Sequence, residues 1–277
     1  MERINGKNKD GIIRDHTIEF VFSNRLSAFD RIVGETPGRG QVLADCTRII
    51  YKFLSRNNVA TALLDEGQGN TIIQRRCQPL DFEFIMRNLL TGSALKRAKL
   101  GELQLPIGMN PSEYALFPET FVEVSTKREA KDRYGLSEEE IKGIMVNSFS
   151  GLSAEKGFDL FKQALKKARK VADLLTNLFR KSDLFLIDGK VEFGVSDSGQ
   201  LCLIDSFGPD EFRVAELTWA NGPRDTDPDF LDKEFIRKYL EGIHESEYAE
   251  ILLKYGPTLV SRYRTVTNRL KEASGLY

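Results

Sequence analysis

The chain has 277 residues, 41% hydrophobic and 29% charged, enough to bury a sizeable core in one large domain or two unequal lobes. Its 40 basic and 41 acidic residues leave a net charge of -1, which excludes bulk attraction to nucleic acid or an anionic membrane, so a polyanionic ligand must be held locally. No apolar signal core opens the sequence and no uninterrupted apolar run approaches the length of a membrane span; a cytoplasmic location with small-molecule partners is the expectation, and homo-oligomerisation stays open.

Short apolar runs at 18–22, 60–64 and 71–74, separated by polar or glycine-bearing turns, predict strands. Between them Val42, Cys46, Ile49, Ile50 and Phe53 recur at helical spacing, predicting a helix over 42–54. Residues 1–80 thus read as a small α+β lobe, and 81–277 as a larger one. In the latter, 82–90 is apolar, 94–99 begins a helix, and 101–118, with three prolines, is an irregular excursion. Ser137 and Glu140 match a capping box. Residues 154–181 carry Phe158, Phe161, Leu165, Ala168, Ala172, Leu175 and Phe179 at intervals of three and four, a long amphipathic helix. Beyond Pro228 the pattern predicts helical pieces at 232–254 and 258–273.

Cys46, Cys77 and Cys202 are odd in number and far apart, so neither a disulfide framework nor a zinc knuckle is expected, and two histidines argue against histidine-based triads. The chemistry concentrates instead in Asp188-Gly-Lys190-Val-Glu192-Phe-Gly194, followed by Asp205. If Ser196 to Gly199 closes a four-residue hairpin, Val195 pairs with Gln200, Lys190 stands opposite Asp205, and Glu192 opposite Leu203. Glu192 and Asp205 are then diagonal neighbours about 7 Å apart, a span that a divalent cation bridges through oxygen ligands. A loop one residue shorter or longer would move the second acid to the other face. The local pattern also suits a solvated, weakly ion-paired surface.

Several ordered segments together resemble the SAICAR synthetase (phosphoribosylaminoimidazole-succinocarboxamide synthase) family. These are Gly6-Lys7-Asn8-Lys9-Asp10, Ser27-Ala28-Phe29-Asp30, Thr36-Pro37-Gly38-Arg39-Gly40, Glu83 through Arg87-Asn88 to Thr91-Gly92-Ser93, Asp188 to Gly194, and Asp205 to Arg213. The resemblance implies a two-lobed α+β fold with antiparallel sheets and an ATP cleft between lobes. It also implies an ATP- and Mg2+-dependent ligase of purine biosynthesis, in which a carboxylate becomes an acyl phosphate that an amine, in the family aspartate, converts to an amide. On that mapping Gly6, Lys7, Lys9 and Lys127 hold ATP. Lys190, Glu192 and Asp205 are catalytic, the two acids carrying the metal, and Asp30, Arg87, Ser93, Asp210 and Arg213 bind substrate.

The departures from the family pattern cluster. Its acidic pair is Asp205-Ser206 here, and the two serines before the arginine are Glu211-Phe212, in the region lining the acceptor substrate. They leave open a paralogue with another amine or carboxylate, and a catalytically silent nucleotide-binding relative.

Overall fold

Apolar residues at every second position put one face of a strand against a core, and the opening segments fold on that pattern. The structure, a computed structural model, describes residues 2–29, 31–127 and 132–276. Strands β1 (Glu2–Asn5), β2 (Lys9–Ile13) and β3 (Thr17–Phe22) lead into a hairpin of β4 (Arg25–Ala28) and β5 (Arg31–Glu35), helix α1 (Arg39–Arg56), and then β6 (Leu63–Asp65) and β7 (Thr71–Arg75). A five-stranded antiparallel sheet results, ordered β1-β2-β3-β7-β6. Of the stripe read from sequence, helix α1 buries Val42, Cys46, Ile49 and Ile50, and Phe53 is partly buried against the same core.

There follow β8 (Cys77–Pro79), β9 (Phe82–Leu90), α2 (Gly92–Lys99), β10 (Ala115–Thr126), α3 (Glu138–Ser148), α4 (Ala154–Lys181), β11 (Leu184–Ser196), β12 (Leu201–Ile204) and β13 (Phe212–Glu216). The chain closes with α5 (Leu217–Ala220), α6 (Glu234–Leu240) and α7 (Tyr248–Ser274). The Ser137/Glu140 capping box opens α3, and α4 buries Phe161, Ala168, Ala172, Leu175 and Phe179. One apolar core runs from Phe22 and α1 through β11 to α7.

The second sheet is built around β11. Along one edge it pairs with β9 at 188–191 and β8 at 194–196; along the other with β13 at 184–189 and β12 at 192–195. Every pairing is antiparallel.

Three expectations need correcting. The hairpin after β11 has the shorter loop: the N–H of Ser196 donates to the Gln200 carbonyl, Val195 pairs with Leu201, and Glu192 stands opposite Ile204, not Leu203. The irregular excursion ends at Tyr114, because β10 carries Pro118 in a bulge between Leu116 and Phe121. Helix α7 is continuous through Pro257; the residue before it is Gly256, whose missing Cβ relieves the usual clash with a proline ring.

Candidate active site

The register of β11 sets a row of charge across three strands. Asp188 is the direct partner of Arg87 on β9 and of Arg213 on β13. Its carboxylate accepts from Arg213 Nε at 2.7 Å, from a second Arg213 nitrogen, and from Arg87 at 3.2 Å. Burial works against the charge on Asp188, but the two guanidiniums outweigh it and hold its carboxyl below the usual range. Arg87 also donates through Nε to Glu123 at 2.8 Å, an acid shared with Arg97. It is buried. Arg213, less buried, borders a cavity of 510 Å³ together with Ser93, Lys190, Asp210 and Glu211.

Lys190, opposite Ile85, reaches diagonally to pair with Glu83. Burial lowers its proton affinity, yet the Glu83 charge outweighs it and raises the pKa above that of an ordinary lysine. Two residues on, Glu192 is buried and faces a different cavity, of 590 Å³, which Lys127, Ile204 and Asp205 also line. Both volumes suit small-molecule sites. Lys127 pairs with Glu192. Burial, reinforced by the neighbouring Asp205 charge, pushes the Glu192 carboxyl up to about 7.

With Ile204 opposite Glu192, simple alternation would turn Asp205 away from it. Instead Asp205 adopts a left-handed backbone, φ 75°, and its carbonyl accepts from the Tyr51 hydroxyl at 3.0 Å and from Gln74 Nε2 at 2.6 Å. The strand ends there and the carboxylate swings to the Glu192 side. Aspartate tolerates this conformation better than most residues. Lys9 pairs with Asp205, donates to Ser206 Oγ, and lies 5.2 and 5.7 Å from the ring centres of Phe20 and Phe22. In the turn before it, a Cβ on Gly6 would collide with the Lys9 carbonyl, so the tight return from β1 to β2 requires glycine.

Asp210 borders the 510 Å³ cavity, but its carboxylate is fully buried, paired with Arg39 and accepting from the Tyr263 hydroxyl at 2.7 Å. Asp30 lies outside the described residues. The Gly6 carbonyl accepts from Arg25 at 2.9 Å, and the Lys7 carbonyl from the same side chain at 3.4 Å.

The family model for SAICAR synthetase matches residues 2–254. The chain belongs to the SAICAR synthetase family. SAICAR synthetases are ATP-dependent ligases that join a carboxylate to an amine. The phosphoribosylaminoimidazole-succinocarboxamide synthase of Prochlorococcus marinus is 28% identical over 253 residues, covering 89% of this chain and 92% of the relative. A type-2 SAICAR synthetase solved in complex with ADP superposes with a TM-score of 0.73 over 98% of both chains, at 24% identity. The Saccharomyces cerevisiae SAICAR synthase complexed with SAICAR gives the same score at 23% identity, over 98% of this chain and 94% of that one. The antiparallel, mixed helix-and-strand architecture is the SAICAR synthetase fold.

Of the residues that carried the family resemblance, the fold brings Lys9, Lys127, Glu192 and Asp205 together, and Ser93, Lys190 and Arg213 together, with β11 contributing to both groups. Arg87 joins the second group only through Asp188. Sequence reading gave Asp188, Glu83 and Glu123 no site role. Asp188 had a signal, as the head of the Asp-Gly-Lys motif; Glu123 had none, since its partners Arg87 and Arg97 lie 36 and 26 residues away.

Proposed function

We propose that this chain ligates aspartate to the carboxylate of a phosphoribosyl aminoimidazole, forming SAICAR at the expense of ATP. The observation that carries the reading is the placement of Lys190 and Glu192 two residues apart on β11, each bordering a different cavity. ATP belongs in the 590 Å³ cavity, where residues 81–277 supply Lys127, Glu192 and Asp205, and residues 1–80 supply Phe20 and Gln74 to the lining and Lys9 through its ion pair with Asp205. The ribonucleotide belongs in the 510 Å³ cavity beside Ser93 and Arg213, whose forked donors suit a phosphate. Proteins of the same fold have been solved with ADP and with SAICAR, which supports these two ligand classes.

The site acts by neutralisation and alignment. Phosphoryl transfer between two anions asks little covalent chemistry of the protein. Lys9 and Lys127 offset the triphosphate charge, Lys190 lies between donor and acceptor, and Arg87 acts through Asp188 to fix the Arg213 guanidinium. The γ-phosphoryl passes to the substrate carboxylate, and an amine then displaces phosphate from the acyl phosphate. Glu192 and Asp205 fit Mg2+: two hard oxygen donors turned to one cavity, with only amines as counter-charges. A magnesium ion there would neutralise polyphosphate charge. A cytoplasmic location accords with this role; among the described residues no helix is long and apolar enough to cross a membrane.

The test is ADP release with purified protein, ATP, Mg2+, the carboxylated aminoimidazole ribonucleotide and aspartate. Release requiring both co-substrates supports the reading; release only with another amine, or no ATP binding by calorimetry, overturns it.

A further inference from the structure

Four carboxylates border the 510 Å³ cavity, and three of them are committed. Asp210 is spent on Arg39 and Tyr263. Asp232 accepts the backbone N–H groups of Val214 at 2.5 Å and Glu234 at 2.7 Å. Glu234 accepts from Arg237 at 2.5 Å. Glu211 differs: its hydrogen-bond partner is the neutral Ser206 hydroxyl at 3.2 Å, and among the described residues no ammonium or guanidinium lies within ion-pair distance of it.

On the same wall stands its opposite. Lys233 borders the cavity and likewise forms no ion pair among the described residues. The two attract each other without touching, and Lys9, Asp205 and Asp210 complete the charges that act on Glu211. A half-buried acid and base that do not meet bear desolvation cost without direct compensation, unless a ligand brings complementary charges.

We propose that Glu211 and Lys233 form the amino-acid end of the site, Glu211 taking the ammonium of the amine substrate and Lys233 a carboxylate. The proposal rests on the ligase reading and specifies the amine as a zwitterion. An ammonium held at Glu211 is directed toward the cavity that Lys190, Ser93 and Arg213 share. It loses one proton to solvent, and its nitrogen attacks the acyl-phosphate carbonyl carbon. The C–N bond forms as the C–O bond to phosphate breaks; the electron pair leaves with phosphate, which takes the second proton. A carboxylate at this position also repels a second ribonucleotide carboxylate, favouring one anion and one zwitterion per site.

The experiment compares Glu211→Gln and Lys233→Met with the unmodified protein, using ADP release with aspartate or with hydroxylamine as acceptor. Hydroxylamine is uncharged near neutral pH and has no carboxylate. Loss of a charged hydrogen bond predicts a rise of about tenfold or more in KM for aspartate in each variant. The ratio of aspartate-dependent to hydroxylamine-dependent kcat/KM should fall by about the same factor. Equal losses with both acceptors, or an unchanged KM for aspartate in either folded variant, would overturn the proposal. Should one variant fail to fold by thermal melting, the other carries the test. Absence of carboxylate-dependent ADP release in the unmodified protein with either acceptor would sink the ligase reading itself, a distinguishable result.

Discussion

Asp205 stands beside Glu192 because its backbone turns left-handed one residue past the partner of Glu192, Ile204. Convergence of the two acids therefore depends on a turn, which Tyr51 and Gln74 hold through the Asp205 carbonyl. Asp205→Asn keeps a residue that tolerates this conformation and removes the charge. Carbonyl-held geometry should survive, with about 1–3 kcal/mol lost in urea unfolding because Lys9 loses its counter-charge. ADP release should fall about a hundredfold or more. Asp205→Val, β-branched at positive φ, should be the less stable of the two in the same unfolding assay.

Lys190→Ala removes an amine from the wall of the 510 Å³ cavity. The Lys190–Glu83 pair is half-exposed at the lysine, so stability should change by no more than about 1 kcal/mol. Turnover should fall about a hundredfold or more. A variant that releases ADP at the unmodified rate would refute the role given to this lysine.

Arg39 and Asp210 are both fully buried. Asp210→Ala should cost about 3–5 kcal/mol, because it strands a buried guanidinium, whereas Arg39→Met combined with Asp210→Leu should cost less than the single change. The pair also predicts a pH dependence. Burial raises the Asp210 carboxyl, but Arg39, Lys233 and the Tyr263 hydroxyl outweigh it and hold it below the usual aspartate value. A depressed folded value means the stabilisation is complete above the unfolded value, about 3.9, and is lost as pH falls through the folded one. The stability gap between the unmodified protein and Asp210→Asn, measured by chemical denaturation, should hold steady from pH 5 to 7 and narrow below about pH 4.

Gly189 pairs across strands with Phe212, and the aromatic ring fills the space its side chain would occupy. That ring also packs on Phe179 and Phe207, at 5.8 and 6.3 Å between centroids. Gly189→Ala should cost about 1–3 kcal/mol through overpacking, and Phe212→Leu in the same chain should recover part of it. Additive losses in thermal melting would contradict the cross-strand account.

Legibility in the sequence followed the range of the forces involved. Helices α1 and α4 and the cap of α3 repeat their signals within a few residues, and all three were readable. Grouping of Lys9, Lys127 and Asp205 around Glu192 was also readable through motif resemblance, but the hairpin register was not, because a three-residue loop and a left-handed Asp205 shift the ladder and then undo the consequence for the acid. The Arg87–Asp188–Arg213 row joins residues up to 126 positions apart, which only strand pairing reveals. Phe212, which the family resemblance puts in the region lining the acceptor substrate, borders the 510 Å³ cavity yet is itself buried in the core, because Gly189 opposite it leaves room for the ring.

Strand β11 has a neighbour on both edges for most of its length. Its amides should therefore be among the slowest in the chain to exchange with deuterium, opening only when the whole sheet opens. Because the same strand borders both cavities, opening of β11 would remove a wall from each at once. Activity and global folding should fade together in denaturant, with no half-competent species between them.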